Sequence, residues 1–282
     1  MRFLKNVGLS VLSIVAVVYV GLFAAAFIWG ESILFQPSKP TYRIEQTGYL
    51  VCKARNGSEV ALFWMPTDGA RYAVIYAHGN AEDIGLVQYP VERFRRLGFS
   101  VLAFDYEGYG RSGGQPTVDG LRQSALAAWD FLTREKGIAP DHIAVAGFSL
   151  GGAAACYLAA HERPRAVLLM GAFASAFHVV VSVNPFPLAL LDNRVQAAHI
   201  DCPVLMFHGT DDSVVPVRNA DMLFDSIKAP KRLVWLPRTD HNDLISRISL
   251  SQWDGIRQFV EAPENLANIS FAKPEKKKYP AK

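Results

Sequence analysis

The sequence predicts an α/β fold built on a mostly parallel, doubly wound sheet, and three observations carry that prediction. From about residue 41 to residue 260, short runs rich in Val, Ile and Leu alternate with amphipathic stretches. The apolar runs are continuous rather than alternating, as strands buried on both faces require. Ahead of them, two strand-like runs at 48–54 and 59–65 flank Asn56-Gly57, a strong short hairpin signal. The remaining strands are expected at 72–77, 99–104, 142–146, 166–170, 204–207 and 232–236. The helices between and after them are expected at 91–97, 118–136, 151–161, 217–227 and 251–260. One irregular connection, 174–200, is long for a compact domain, and loops of that length are usually functional.

The ends of the chain read differently. Between Lys5 and Glu31 there is no charged residue, and 7–29 is long enough, at about 1.5 Å per residue, to span a bilayer's ~30 Å hydrocarbon core. A cleaved signal peptide competes, because Ala24-Ala25-Ala26 offers small residues, but secretory cores run only about 7–15 residues. A buried core helix does not fit a segment with no polar face. The expected organisation is an N-terminal transmembrane anchor at 1–30, a catalytic domain at 31–262 with a cap near 174–200, and a basic, solvated tail at 263–282. Arg2 and Lys5 precede the span, whereas Lys39 and Arg43 lie behind Glu31. The positive-inside bias therefore favours a single-pass protein whose domain is exported, periplasmic or lumenal. The tail's final ten residues hold five Lys and one Glu, and contact with anionic lipid is the alternative to simple solvation.

Composition excludes other classes. Half of the 282 residues are apolar and 20% are charged, far from a disordered chain. A net charge of +3 that belongs to the tail is no nucleic-acid footprint. Cys52, Cys156 and Cys202 have no zinc spacing and read as small buried hydrophobes, with a single pairing such as Cys52–Cys202 open to an exported domain. No metal and no cofactor is expected.

Ligands of open α/β sheets bind beyond the carboxyl ends of the strands, so the chemistry is read there. After the strand at 142–146 comes Gly147-Phe148-Ser149-Leu150-Gly151, a G-x-S-x-G pattern that lifts the Ser149 hydroxyl onto a tight turn at a helix start. A serine nucleophile needs a base and an orienting carboxylate, in the chain order Ser, acid, His for this elbow. His241, in Asp240-His241-Asn242-Asp243 after the last strand, is the expected base. Asp211 and Asp212 follow the strand at 204–207; Asp212 is the chosen acid, with Asp211 bracing the turn. Asp240 and Asp243 adjoin the base in sequence and are poorly placed to hold its far nitrogen. His78 and His208, each before a Gly at a strand end, are expected to brace loops. Two backbone donors are needed for an oxyanion, and Leu150 and Asn80 (in His78-Gly79-Asn80-Ala81) are expected to supply them. Gly108-Tyr109-Gly110-Arg111-Ser112-Gly113 matches a dinucleotide fingerprint, but the next helix starts only near Thr117, so it reads as a turn.

These residues resemble the α/β-hydrolase superfamily over essentially all of 42–260. His78-Gly79-Asn80-Ala81-Glu82, Asp105-Tyr106-Glu107-Gly108-Tyr109-Gly110-Arg111-Ser112, Gly147 to Gly152, His208 to Pro216 and Asp240-His241-Asn242 are similar to its Bem46/ABHD-like branch of serine hydrolases. The resemblance implies an α/β-hydrolase fold, places the cap at 174–200 and agrees with Asp212 as the acid. That branch includes membrane-anchored hydrolases, acyl-protein depalmitoylases and lysophospholipid lipases. Gly171-Ala172-Phe173-Ala174-Ser175 departs from the commoner Ser-Pro-Phe-like run. Phe148, Phe173 and Phe177 are candidate pocket residues, for which core packing is an equally good reading. The expected activity is a serine hydrolase of esterase, lipase or thioesterase type, acting on a small-molecule or lipid-like ester. A peptidase-like hydrolase and a non-catalytic scaffold of the same fold are the alternatives.

Overall fold

Asn56 and Gly57 reverse the chain between β1 (Tyr49–Lys53) and β2 (Glu59–Met65), which pair antiparallel from Tyr49↔Phe63 to Lys53↔Glu59. Gly57 takes φ +89°, a left-handed conformation that costs glycine nothing. The later strands are parallel to one another: β3 (Ala73–Ala77), β4 (Ser100–Phe104), β5 (Ile143–Phe148), β6 (Ala166–Met170), β7 (Val204–Gly209) and β8 (Lys231–Leu236). The order across the sheet is β1-β2-β4-β3-β5-β6-β7-β8. β2 joins β4 antiparallel, which stitches the hairpin to the parallel part. This is a computed structural model, and it describes residues 2–180 and 191–271, with backbone alone at 2–12, 22, 25, 26 and 180.

β3 through β7 are buried along their whole length, as continuous apolar runs demand. Successive side chains alternate between two cores. Ala73, Ile75 and Ala77 meet α3 (Val118–Asp130) and α4 (Gly151–Glu162) on one face. Val74 and Tyr76 meet α2 (Gln88–Arg96) on the other, where Phe94 packs edge-on against Trp253 at 5.3 Å. Thr117 caps α3, its Oγ1 accepting the Gly120 N–H at 2.9 Å. The helix expected at 118–136 becomes one π turn after Asp130, where the Lys136 N–H reaches the Phe131 carbonyl at 3.0 Å.

Between β6 and β7 the chain makes two short helices, α5 (Ala176–Val180) and α6 (Asn193–Ala197). Their base is closed by an antiparallel bridge, Ser175↔Asp192, and by the Asn193 N–H on the Ala174 carbonyl at 2.8 Å. The middle of the expected cap, 181–190, lies outside the described residues. After β7 come α7 (Val217–Ser226), β8, α8 (Leu244–Arg247) and α9 (Leu250–Glu261), the last opened by a Ser249/Gln252 capping box and supplying Trp253.

One expectation about the ends changes, and the other is not shown. The tail does not leave the domain at 262. Residues 263–268 form a 3₁₀ turn that buries Leu266, and Ile269 is buried beside it. Arg232 holds the Ile269 carbonyl at 2.5 Å and stacks over the Phe271 ring. The apolar spacing of Leu266, Ile269 and Phe271 supplies the reason: one face of this stretch covers the second core. Residues 272–282 lie outside the description. At the other end, the backbone of Arg2–Leu34 is one 33-residue helix, α1. Among the described residues no helix is long and apolar enough to cross a membrane, so the expected transmembrane span is not shown; many of its side chains fall outside the description.

Candidate active site

β5 ends at Phe148 and α4 begins at Gly151, so Ser149 must turn the chain within two residues. It does so at φ +51°, a left-handed conformation costing a non-glycine residue about 1–2 kcal/mol. Its N–H is held by the Met170 carbonyl at 2.9 Å, and its carbonyl accepts the Gly152 N–H at 3.0 Å. The flanking glycines are fixed by close approach. A Cβ on Gly147 would lie 2.3 Å from the Gly151 carbonyl oxygen, and one on Gly151 only 2.0 Å from that of Ala77. Ser149 is half-buried at the mouth of this turn.

His241 follows β8 and is 4% exposed. Its Nδ1 lies 2.8 Å from Asp212 Oδ2. The other oxygen of Asp212 accepts the N–H groups of Val214 at 3.0 Å and Val215 at 2.6 Å, so the carboxylate is fixed before it meets the imidazole. Because a carboxylate only accepts, Nδ1 carries the proton and Nε2 is left as a base. The ring is walled by Phe148, with centroids 5.1 Å apart, and by Gly171, where a Cβ would stand 3.1 Å from Cε1. Gly171 directly follows Met170, whose carbonyl holds Ser149, so Ser149 and His241 share one wall.

Asp240 does not contact the imidazole; it joins the two loops. It accepts the Ser213 N–H at 2.8 Å, the Ser213 hydroxyl at 2.9 Å and the His241 N–H at 2.7 Å. Those donors, Ser213 N–H foremost, hold its carboxyl below the usual range. Asp211 accepts only its neighbour's hydroxyl, from Thr210, among the described residues. His208 braces its loop as expected, Nε2 2.9 Å from the Val215 carbonyl and 3.4 Å from Asp212 Oδ2. Burial lowers its pKa, which keeps it neutral and donating.

On the opposite side, the loop after β3 carries the second expected amide. Tyr106 donates to the His78 carbonyl at 2.5 Å, and the Gly79 N–H is held by Glu82 at 2.6 Å. The Asn80 and Leu150 main-chain N–H groups have no protein acceptor among the described residues, which leaves both free for a ligand. The three candidate pocket residues part company. Phe148 lies between His241 and Gly79, where a Gly79 Cβ would come within 3.0 Å of its ring. Phe173 is buried in the core on the α4 face, its carbonyl held by Asn193. Phe177 sits half-buried on α5.

The Gly108–Gly113 segment is a turn, closed by the Gly108 N–H on the Gly113 carbonyl at 2.8 Å, and its helix starts at Val118. Cys52, Cys156 and Cys202 are free thiols, each pushed up to about 12 chiefly by burial. The polar residues behind the loop after β3 were not foreseen from the sequence. Asp105 meets His78 Nε2 at 3.3 Å and accepts the Ile84 N–H at 2.8 Å and the Tyr42 hydroxyl. Asp83 accepts the N–H and hydroxyl of Thr41. The only sequence signal was the motif containing Asp105, and it named no partner.

Comparison with known proteins agrees with this architecture. Residues 68–194 match the family model described as serine aminopeptidase, S33. The chain is 33% identical over 273 residues to the uncharacterized protein MT2364 of Mycobacterium tuberculosis, covering 90% of this chain and 95% of that one. It is 29% identical over 221 residues to the human alpha/beta hydrolase domain-containing protein 17B, covering 77% and 75%. The Pyrococcus furiosus esterase Pf2001 superposes with a TM-score of 0.67 at 16% identity, over 80% of this chain and 98% of that one, a likeness of fold. The chain is also 31% identical over 196 residues to the putative alpha/beta hydrolase L404 of Acanthamoeba polyphaga mimivirus, covering 67% of this chain and 72% of that one. With this relative and its strand order, the chain belongs to the α/β-hydrolase family, with ABHD-like proteins among its relatives.

Proposed function

We propose that this protein is a membrane-anchored serine hydrolase that cleaves carboxylic esters or thioesters through an acyl-enzyme. The observation that carries the reading is the Asp212–His241 pair, with the carboxylate fixed by two amides and the imidazole walled against the elbow that presents Ser149. Ser149 Oγ attacks the carbonyl carbon while its proton passes to His241 Nε2. Asp212 holds the ring and balances the imidazolium. The Asn80 and Leu150 amides take the charge of the tetrahedral oxygen. As the ester C–O or thioester C–S bond breaks, His241 returns the proton to the leaving alkoxide or thiolate. Water, deprotonated by the same nitrogen, then releases the acid and restores Ser149.

The charge-free stretch between Lys5 and Glu31 supports an anchor, and the bias of Arg2 and Lys5 favours an exported domain. An anchor at the bilayer and the apolar ring of Phe148 beside His241 favour a lipid-like or acylated substrate. A peptidase reading is favoured by the matched family model's description alone. The test is turnover of 4-nitrophenyl esters of rising chain length and of aminoacyl-anilides, by full-length protein in detergent, wild type beside Ser149→Ala. Ester turnover that needs Ser149 and improves with chain length is expected. Anilide turnover outrunning that of esters would replace the esterase reading. Absence of Ser149-dependent turnover of either class would leave a scaffold. Fractionation after carbonate washing tests the anchor: protein left in the supernatant would contradict it.

A further inference from the structure

We infer that the Asn80 carboxamide is a positioning residue that fastens the N-terminal segment Leu34–Gln36 to the oxyanion loop, making the end of α1 part of the catalytic scaffold. The inference rests on the reading of the Asn80 main-chain N–H as an oxyanion donor. The carboxamide makes three hydrogen bonds, none of them to its own loop. Its Nδ2 donates to the Leu34 carbonyl at 2.7 Å. Its Oδ1 accepts the Gln36 N–H at 3.0 Å and the Tyr109 hydroxyl at 2.5 Å. Leu34 is the last residue of α1, so its carbonyl has no intrahelical partner, and Asn80 supplies one.

The strap is anchored on both sides of this contact. Before it, Glu31 accepts the Val118 N–H at the start of α3 at 2.9 Å. Within it, Phe35 is 3% exposed and meets the Tyr109 ring edge-on at 6.4 Å, while Gln36 N–H also reaches the Tyr109 hydroxyl at 3.0 Å. Beyond it, Thr41 is bonded twice to the fully buried Asp83, and Tyr42 donates to Asp105. Residues 31–42 thus run along the loop that carries Asn80. That loop is irregular, and Ala81 is held at φ +59°. A loop in such a conformation keeps a donor aimed only if its surroundings over-determine it. The carboxamide is engaged by the strap, so the main-chain N–H is the group left for substrate.

The experiment uses full-length protein in detergent with a 4-nitrophenyl ester. Asn80→Ala keeps the main-chain N–H and deletes all three side-chain bonds. Tyr109→Phe removes one hydroxyl, and Gln36→Pro removes one N–H. A donor displaced by about 1 Å can lose on the order of 100-fold in rate. We therefore expect kcat of Asn80→Ala to fall about 10- to 100-fold with KM within about threefold. Tyr109→Phe and Gln36→Pro should lose less, and adding either to Asn80→Ala should cost nothing further, because the three act through one contact. Asn80→Ala with full kcat would overturn the inference. So would losses that multiply, or a KM rise at unchanged kcat, which would mean that the side chain touches substrate. If Asn80→Ala fails to fold, Tyr109→Phe and Gln36→Pro decide by the same criterion between themselves. Ser149→Ala is the control: wild-type turnover that survives it removes the hydrolase reading, whereas Ser149-dependent turnover indifferent to Asn80 removes only this inference.

Discussion

His208-Gly209 closes the parallel strand β7 and His78-Gly79 directly follows the parallel strand β3; each pair buries an imidazole completely, yet they are held in different ways. The loop at His208 is braced from within. His208 donates to Val215, Asp212 accepts from Val214 and Val215, and Asp240 reaches across from the neighbouring loop to Ser213. The loop at His78 is braced from outside. Its carbonyl is held by Tyr106, its ring faces Asp105, and its later residues Asn80 and Asp83 are bonded to Leu34, Gln36 and Thr41. The half of the site around Asp212 and His241 is therefore self-contained, whereas the half around Asn80 depends on a segment distant in sequence. Chemistry and stability should separate along this line when either half is broken.

The largest expected effect is on the self-contained half. Asp212→Asn leaves an amide facing His241, which destabilises the imidazolium and permits the wrong tautomer. kcat for ester hydrolysis should fall by on the order of 10⁴ with the melting temperature nearly unchanged, as read by steady-state kinetics beside calorimetry. Next comes the elbow shared by both halves. Gly151→Ala would drive a Cβ to 2.0 Å from the Ala77 oxygen and should cost at least about 3 kcal/mol, measured by urea unfolding. Asp83→Ala tests the outside bracing. It deletes three hydrogen bonds, to the Thr41 N–H, the Thr41 hydroxyl and the Gly85 N–H, and should cost about 2–4 kcal/mol. A loss under about 0.5 kcal/mol would mean that the strap is decorative.

The smallest effects are in pH dependence, and they have opposite signs. At His78 burial opposes the charge, but Asp105 and the Gly79 carbonyl outweigh it, so the pKa is raised. Its contribution to stability is complete below the unfolded value of about 6.5 and is lost as pH rises through the native value. At His208 burial dominates and lowers the pKa. Its contribution is complete above about 6.5 and is lost as pH falls toward the native value. Urea midpoints between pH 5 and 8 should lose their acid-side fall in His208→Gln and their alkaline-side fall in His78→Gln. The same slope in both variants would erase the distinction between the loops.

What was legible in the sequence follows the same division. β3 to β7 announce themselves because each is built on a continuous run of apolar residues, and Ser149, Asp212 and His241 each follow a strand in a fixed order. Those are local signals, and the structure brings Asp212 and His241 into direct contact. The Asn80 carboxamide, Asp83 and Asp105 were not legible as a unit, because most of their partners lie 21 to 63 residues away and polar residues carry no periodicity. The stretch 263–271 was assigned to a solvated tail because the lysines after it dominate its composition, while only Leu266, Ile269 and Phe271 mark the packed face.

An activated Ser149 underlies the proposed chemistry, and covalent capture reads that activation. Full-length protein in detergent is treated with a fluorophosphonate, digested and sequenced by mass spectrometry, wild type beside Asp212→Asn. A single phosphonylated peptide carrying Ser149 is expected in the wild type, formed at least about 10²-fold more slowly in Asp212→Asn. An adduct on another residue, or equal rates in the two proteins, would contradict it.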